Sequence, residues 1–309
     1  MSAIKSRKKI SDIIFENITL IFALLIIAIV FQVIFEMYKD SESSRNTFGW
    51  GFIFDNNWEP NKEIFGALPF IYGTVVSSLI ALLIALPVSL GVAIFLSELA
   101  PPIIKTSLSF LVEILAAIPS IIYGFWGIFV LAPFMKNTVQ TFFNSTFGFL
   151  NIFGESTSGL GLMTASIILA IMITPIISSI SRDVLKAIPQ AQREAAYALG
   201  STRWEAIKMA LLNAKGGIFG ASVLGLGRAL GETMAVTMVI GNRAQIKASL
   251  FEPAYTMASV IANEFAEASG KLHVSALIEI GLLLFGVTFI INSIARLLIY
   301  STTGKSDRK

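Results

Sequence analysis

Six stretches of this chain are apolar for long enough to cross a bilayer as a helix, and nothing else in the sequence constrains the fold as strongly. A hydrocarbon core of roughly 30 Å takes about 20 helical residues. Runs of that length fall near 18–37, 70–97, 107–133, 159–182, 216–240 and 274–300. Composition agrees: 55% of the 309 residues are hydrophobic, 14% are charged and the mean hydropathy is +0.76, too apolar for a soluble domain that must cover its core with polar surface. The expected fold class is all-α integral membrane, with six transmembrane helices.

Composition also excludes chemistry. There is no cysteine, hence no disulfide framework, thiol nucleophile or thiolate metal site, and a single histidine, His273, rules out a histidine metal cluster. No metal site and no catalytic residue is expected: His273 lies at a loop boundary and no serine sits in a recognised nucleophile setting. No GxxxxGK[ST] loop occurs, so the chain is not expected to bind ATP. The net charge of +3 follows from basic residues flanking membrane spans and does not call for a nucleic acid partner.

Lysine and arginine set the orientation. With the N-terminus inside, the inner segments carry 15 of them and the outer segments 7, with Arg228 left within a span. By the positive-inside rule both termini are cytoplasmic, and the "KSRKK" run at residues 5–9 anchors the first span. The chain divides into residues 1–69, a tail, first span and outer loop, and residues 70–309, a core of five spans. The outer segment 38–69, rich in Asn, Trp and Phe, reads as a surface segment or aromatic belt, and the outer segments 134–158 and 241–273 as solvated loops.

The inner connection 183–215 is the longest on its side. Helix formers run from Gln190 to Leu199, Gly200 suits a left-handed helix end, and Thr202 with Glu205 matches a capping box. Trp204, Ile207 and Leu211 then recur on one face, so a helix-turn-helix is expected against the cytoplasmic surface. By periodicity alone, it is equally an interfacial hairpin packed on the bilayer or on its own bundle.

The fifth run contains "GRALGETMAV", with Arg228 and Glu232 where a charge costs about 2.5–3.5 kcal/mol to insert. Four residues apart on one continuous helix, they would share a face about 6 Å apart along the axis. Either they form a mutually satisfied ion pair holding the bundle together, or Arg228 attracts an anion while Glu232 holds and releases the guanidinium. Gly227 and Gly231 form a small-xxx-small pair, the usual device for close helix packing in lipid. Pro119 is expected to bend the third span with its freed carbonyl satisfied locally, and Pro87 and Pro175 to act likewise. Ser120 and Tyr123 beside Pro119 are softer pathway candidates. Glu113 and Glu279 are expected to make ordinary interface or interhelix contacts.

Glu194-Ala195-Ala196, then three residues, then Gly200, resembles the "EAA…G" loop with which ABC-importer permeases dock into their ATPase subunits. The usual "I-x-L-P" ending is replaced by Ala210-Leu211-Leu212-Asn213, where the asparagine can end the second coupling helix instead. The "GLGRALGETMAV" and "VIGN" stretches and "AAIPSIIYGFWGIFVLAP" at 116–133 resemble the fifth and third spans of phosphate-importer permeases of the PstC type. The resemblance runs from about residue 70 to the C-terminus and implies a type I ABC importer permease fold with a cytoplasmic coupling loop. It further implies a second permease of the PstA type, an ATPase dimer of the PstB type carrying ATP and Mg, and an external phosphate-binding protein of the PstS type. In that setting Arg228 and Glu232 belong to the substrate pathway, and Glu194, Ala195, Ala196 and Gly200 couple to the ATPase. This chain would be a non-enzymatic subunit with no cofactor of its own, in contact with membrane lipid in a bacterial or archaeal cytoplasmic membrane. Sulfate and molybdate are alternative cargoes, since a guanidinium fork does not choose among oxyanions. An ion-coupled carrier would use the same charge pair but would need no EAA loop.

Overall fold

The structure, a computed structural model, describes residues 10–149, 152 and 158–303. The basic run at 5–9, the C-terminal Lys305, Arg308 and Lys309, and part of the outer segment 134–158 lie outside the described residues. The elements in order are α1 (Ile10–Asp40), α2 (Glu42–Phe48), α3 (Gly51–Phe54), β1 (Trp58–Glu59), β2 (Ile64–Phe65), α4 (Leu68–Ile94), α5 (Pro102–Ala117), α6 (Ser120–Trp126), α7 (Ala132–Phe134), α8 (Thr141–Phe147), α9 (Leu162–Ala187), α10 (Gln190–Ala198), α11 (Arg203–Leu230), α12 (Met234–Val239), α13 (Met257–Glu264) and α14 (Lys271–Thr303). Wide π turns extend α4 over Phe95–Leu99 and join α6, α7 and α8.

Five single helices are long and apolar enough to span a membrane, and a sharply bent pair makes a sixth. The bundle is organised around α9, which lies along α4 on one side and α11 on the other. Small residues allow this: Ala81, Ala85, Ser89 and Ala93 of α4 are fully buried, and Ser89 Oγ donates to the Thr174 carbonyl of α9 at 3.1 Å. α1 stands apart, its side chains exposed along almost all of residues 14–40, and touches the bundle through α2 and α14. Such an all-round apolar surface suits lipid or another membrane subunit.

The third span is not one straight helix. α5 ends at Ala117 and the chain turns by 91° before running on from Ser120 to Phe147. Pro119 disfavours a helical Ile118, which is extended at φ −64°, ψ 128°. The Tyr123 hydroxyl donates to the Leu115 carbonyl at 2.8 Å, so the carbonyl freed by the break is satisfied locally. Gly124 and Gly127 bring this segment against α12: a methyl at Gly124 would lie 2.5 Å from Met238 Sδ, and one at Gly127 2.6 Å from Val239 Cγ1.

On the outer side the loops form structure of their own. β1 pairs antiparallel with β2 (Trp58 with Phe65, Glu59 with Ile64), and Phe52, Phe65 and Phe70 are fully buried in a small core with Tyr255, Met257 and Val260. Part of the aromatic content expected at an interface belt is therefore core, although Trp50 and Phe54 remain exposed. The segment 241–273 is also not a solvated loop. The carbonyls of Leu250 and Glu252 accept from the Met163 and Leu162 amides, and Val239 accepts from Gly161, which satisfies the first amides of α9. Thr74 Oγ1 of α4 accepts from the Met257 amide at 2.9 Å. His273 and Trp58 meet on one carboxylate oxygen of Glu264, at 3.2 and 2.9 Å.

Candidate pathway and coupling surface

α11 is a single helix from the turn at Gly200–Thr202 through to the fifth apolar run, which corrects two expectations. The second helix of the inner connection does not end at Asn213 but runs on as the fifth span. No proline interrupts residues 203–230, and Asn213 reaches sideways, its Nδ2 donating to Gln192 Oε1 of α10 at 2.9 Å. The span itself stops at Leu230. Gly231 caps it, and α12 starts only at Met234, so Arg228 and Glu232 do not share the face of one continuous helix.

Nor do they form an ion pair. Glu232 Oε1 instead accepts weakly from the Ala235 amide at 3.5 Å, at the start of α12. Among the described residues the Arg228 guanidinium has no hydrogen bond or ion pair, yet its side chain is exposed. An exposed, unpaired arginine within a membrane span requires water, a ligand or a polar neighbour on that face.

The face is hollow. A cavity of about 1040 Å³ opens between α9, α11 and α14, with Gly227 and Arg228 on one wall and Thr288, Asn292, Ser293 and Arg296 on the other. Both charged residues lining it are arginines, and among the described residues no aspartate or glutamate lines it and Arg296 is unpaired. Asn292 Oδ1 is buried without a partner, within ordinary contact distance of where a methyl on Gly227 would sit. The glycines divide otherwise than expected: Gly217 and Gly225 pack closely, their added methyls falling 2.5 Å from Val184 Cγ1 and 2.7 Å from Ile177 Cδ1 of α9, whereas Gly227 borders the cavity and Gly231 marks the break. Thr288, Asn292 and Arg296 recur every four residues on an otherwise apolar helix. That polar stripe is visible in the sequence, where Arg296 counted only as an inner-side charge.

The inner connection matches its expected form. α10 covers Gln190–Ala198, Gly200 adopts φ +82°, and Thr202 caps α11. The Thr202 amide and hydroxyl both donate to Glu205 Oε2, at 2.7 and 2.8 Å, while the Glu205 amide donates to Thr202 Oγ1 at 3.4 Å. These bonds, the backbone one foremost, hold the Glu205 carboxyl below the usual carboxylate range. Ala196 is buried against the bundle, whereas Glu194, Ala195 and Gly200 face outward beside Tyr197, Leu199 and Trp204, exposed by 48%, 88% and 62%. An apolar patch with a carboxylate at its edge is a surface built for a partner rather than for water.

Elsewhere on the inner side, Arg182 is almost buried and bonded to Asp183 Oδ1 at 3.0 Å and Glu113 Oε1 at 3.4 Å, the interhelix contact expected of Glu113. Glu279 is buried, with Oε2 lacking a partner.

Residues 85–302 match the family described as binding-protein-dependent transport system inner membrane component. The chain is 47% identical to a phosphate transport system permease protein PstC of Mesorhizobium japonicum, over 94% of this chain and 90% of that one. It is 46% identical to that of Pasteurella multocida over 97% and 95%, and 42% identical to that of Mycobacterium leprae over 79% and 77%. In fold it resembles a chain of the inward-facing MetNI methionine ABC transporter, with a TM-score of 0.51, 19% identity and coverage of 77% of this chain and 94% of that one.

Proposed function

Because the chain belongs to the inner membrane components of binding-protein-dependent transport systems, and among them to the PstC-type permeases, we propose that it forms one half of the path by which an ATP-driven importer moves inorganic phosphate across the cytoplasmic membrane. The observation that carries the cargo, beyond the names of its relatives, is the cavity between α9, α11 and α14. It holds two unpaired guanidiniums and no lining carboxylate, so its missing counter-charge is an anion. Arginine offers a planar donor fork that matches phosphate oxygens. In this reading Arg228 receives the anion at mid-membrane and Arg296 draws it toward the inner end of α14. Glu232, displaced from Arg228 by the break at Gly231, repels the anion or captures the guanidinium as the helices move. Neither arginine needs to bind tightly, because a deep site would slow release.

The remaining parts of the machine lie on other chains: a second permease of the PstA type closes the path, an ATPase dimer of the PstB type binds ATP and Mg and hydrolyses the nucleotide, and a PstS-type protein delivers phosphate from outside. Both termini lie in the cytoplasm. Glu194, Ala195, Ala196 and Gly200, with exposed Tyr197, Leu199 and Trp204, form the surface that enters the ATPase. Alternating access follows when closure of the ATPase dimer displaces α10 and with it α11, the same rigid helix that carries Arg228.

The test is ATP-dependent uptake of labelled phosphate by the complex reconstituted in proteoliposomes, with sulfate and molybdate as competitors. Uptake that sulfate and molybdate leave largely intact supports phosphate as cargo; uptake of either in place of phosphate overturns it.

A further inference from the structure

The residue just before the docking glutamate points the opposite way. Arg193 turns inward from α10 and forks onto Glu98, in the π turn that ends α4: Nη2 to Oε1 at 2.7 Å and Nε to Oε2 at 3.2 Å. The two side chains are only 19% and 12% exposed. Arg193 also donates to Leu185 O in the last turn of α9 and to Ile188 O just past its end, both at 2.8 Å. The main-chain carbonyl of Glu98 accepts from Arg203 Nη2, at the start of α11, at 2.7 Å. One residue, Glu98, therefore joins the inner ends of α4, α10 and α11, with α9 held in the same knot through Arg193. Ala93 of α4, Leu185 of α9 and Ala210 and Ala214 of α11 pack together as a small apolar cluster.

This arrangement differs from a surface ion pair in two ways. It is largely withdrawn from water, so removing one partner strands the other. It is also bidentate, so its geometry is fixed in a way that a lysine cannot reproduce. π turns are found within helices often at functional positions, and this one puts Glu98 where the end of α4 meets α10.

We propose that the Glu98–Arg193 fork is the joint through which displacement of α10 is passed to α4, and through the close α4–α9 packing to the pathway. Glu98 and Arg193 are positioning residues in this role. The proposal rests on the importer reading above, in which α10 is the docking helix, and adds to it the element that receives the push. Without the fork α10 moves on the ATPase while α4 lags, and hydrolysis proceeds with less transport.

The test uses the whole complex in proteoliposomes with the external binding protein, comparing the native chain, Glu98→Gln, Arg193→Lys and, as a control on the third contact, Arg203→Gln. Copurified ATPase, basal ATP hydrolysis, its stimulation by loaded binding protein, and phosphate taken up per ATP are measured for each. The expected result is native copurification and basal hydrolysis for Glu98→Gln, with stimulation and uptake per ATP lowered at least about fivefold, in the range of ordinary coupling factors. Arg193→Lys, which keeps the charge but not the fork, should fall between. Should Glu98→Gln fail to assemble, Arg193→Lys alone decides the matter. Native stimulation and native uptake per ATP in the assembled variants overturn the proposal and leave a purely structural tie. A native complex that imports no phosphate counts against the cargo, not the fork, which is then judged by stimulation of hydrolysis alone.

Discussion

Arg228 and Glu232 stand on opposite sides of a helix break: Arg228 is in the last turn of α11, Gly231 ends that helix, and Glu232 leads into α12, where its carboxylate faces the Ala235 amide rather than the guanidinium. The charge that a bundle would ordinarily neutralise by pairing is thus left facing a cavity. In a membrane that is tolerable only because the cavity admits water or an anion.

Arg228→Gln is expected to lower phosphate uptake by roughly tenfold or more, since a hydrogen bond to a charged group is worth about 1.5–3 kcal/mol, while the complex still assembles. Because the two charges are unpaired in this state, Glu232→Gln should not rescue it, and the double variant should transport no better than Arg228→Gln. Uptake assays on the three variants decide; restoration of transport in the double variant would show that the two residues pair during the cycle as their main task.

Arg296→Gln should reduce uptake less than Arg228→Gln, by a few-fold, and should leave insertion intact because 14 other basic residues remain in the segments that the positive-inside rule assigns to the inner side. Initial rates at several phosphate concentrations separate a weakened inner site from a misinserted protein. An Arg296→Gln rate identical to native would remove Arg296 from the path.

Glu194→Lys and Leu199→Asp should each weaken capture of the ATPase without altering the amount of membrane-inserted chain. Leu199 is expected to have the larger effect, as it is 88% exposed and its apolar surface gains most from burial. Copurification of the ATPase through a tag on this chain is the measurement, and native recovery with both variants would reject this surface as the docking site.

Thr202→Ala removes the cap of α11 and should cost about 1 kcal/mol locally. Acid should have a related effect. Since the bonds from Thr202 lower the Glu205 carboxyl, their contribution is complete at neutral pH and is lost as pH falls through the lowered value, below the usual carboxylate range. Amide-exchange protection over residues 202–206, corrected for the intrinsic exchange rate at each pH, should be high at neutral pH and lower in acid, with Thr202→Ala low throughout.

Gly73→Ala should destabilise the outer end of the bundle by about 1–3 kcal/mol, because the added methyl would collide with the Tyr255 carbonyl oxygen, a backbone atom that cannot step aside. Thermal unfolding of the purified protein, followed beside Gly91→Ala, where the methyl meets open space, gives the comparison.

Legibility differed between parts of the chain for physical reasons. The capping box at Thr202 and Glu205, the left-handed Gly200 and the short helix α10 were readable because each depends on residues within one or two turns of each other. The break at Pro119 was readable as a bend for the same reason, though not its size. The third outer segment was misjudged because its carbonyls are used by α9, nearly a hundred residues away in sequence, and no local pattern records that. Glu98 and Arg193, 95 positions apart, are likewise invisible as a pair until the ends of α4 and α10 are brought together.

By itself the sequence determined that this chain lives in a membrane, how many times it crosses, and which inner segment turns into a capped helix pair, because bilayer thickness, charge placement and helix capping act locally along the chain. Only the tertiary structure decided that the fifth span begins at the turn after Gly200 and stops at Gly231, that Arg228 has no partner among the described residues, and that Arg296 shares its cavity. Those outcomes depend on which helix faces each glycine and each charge, and in lipid, where every run is equally apolar, that choice is made by packing between helices rather than by hydrophobic pattern.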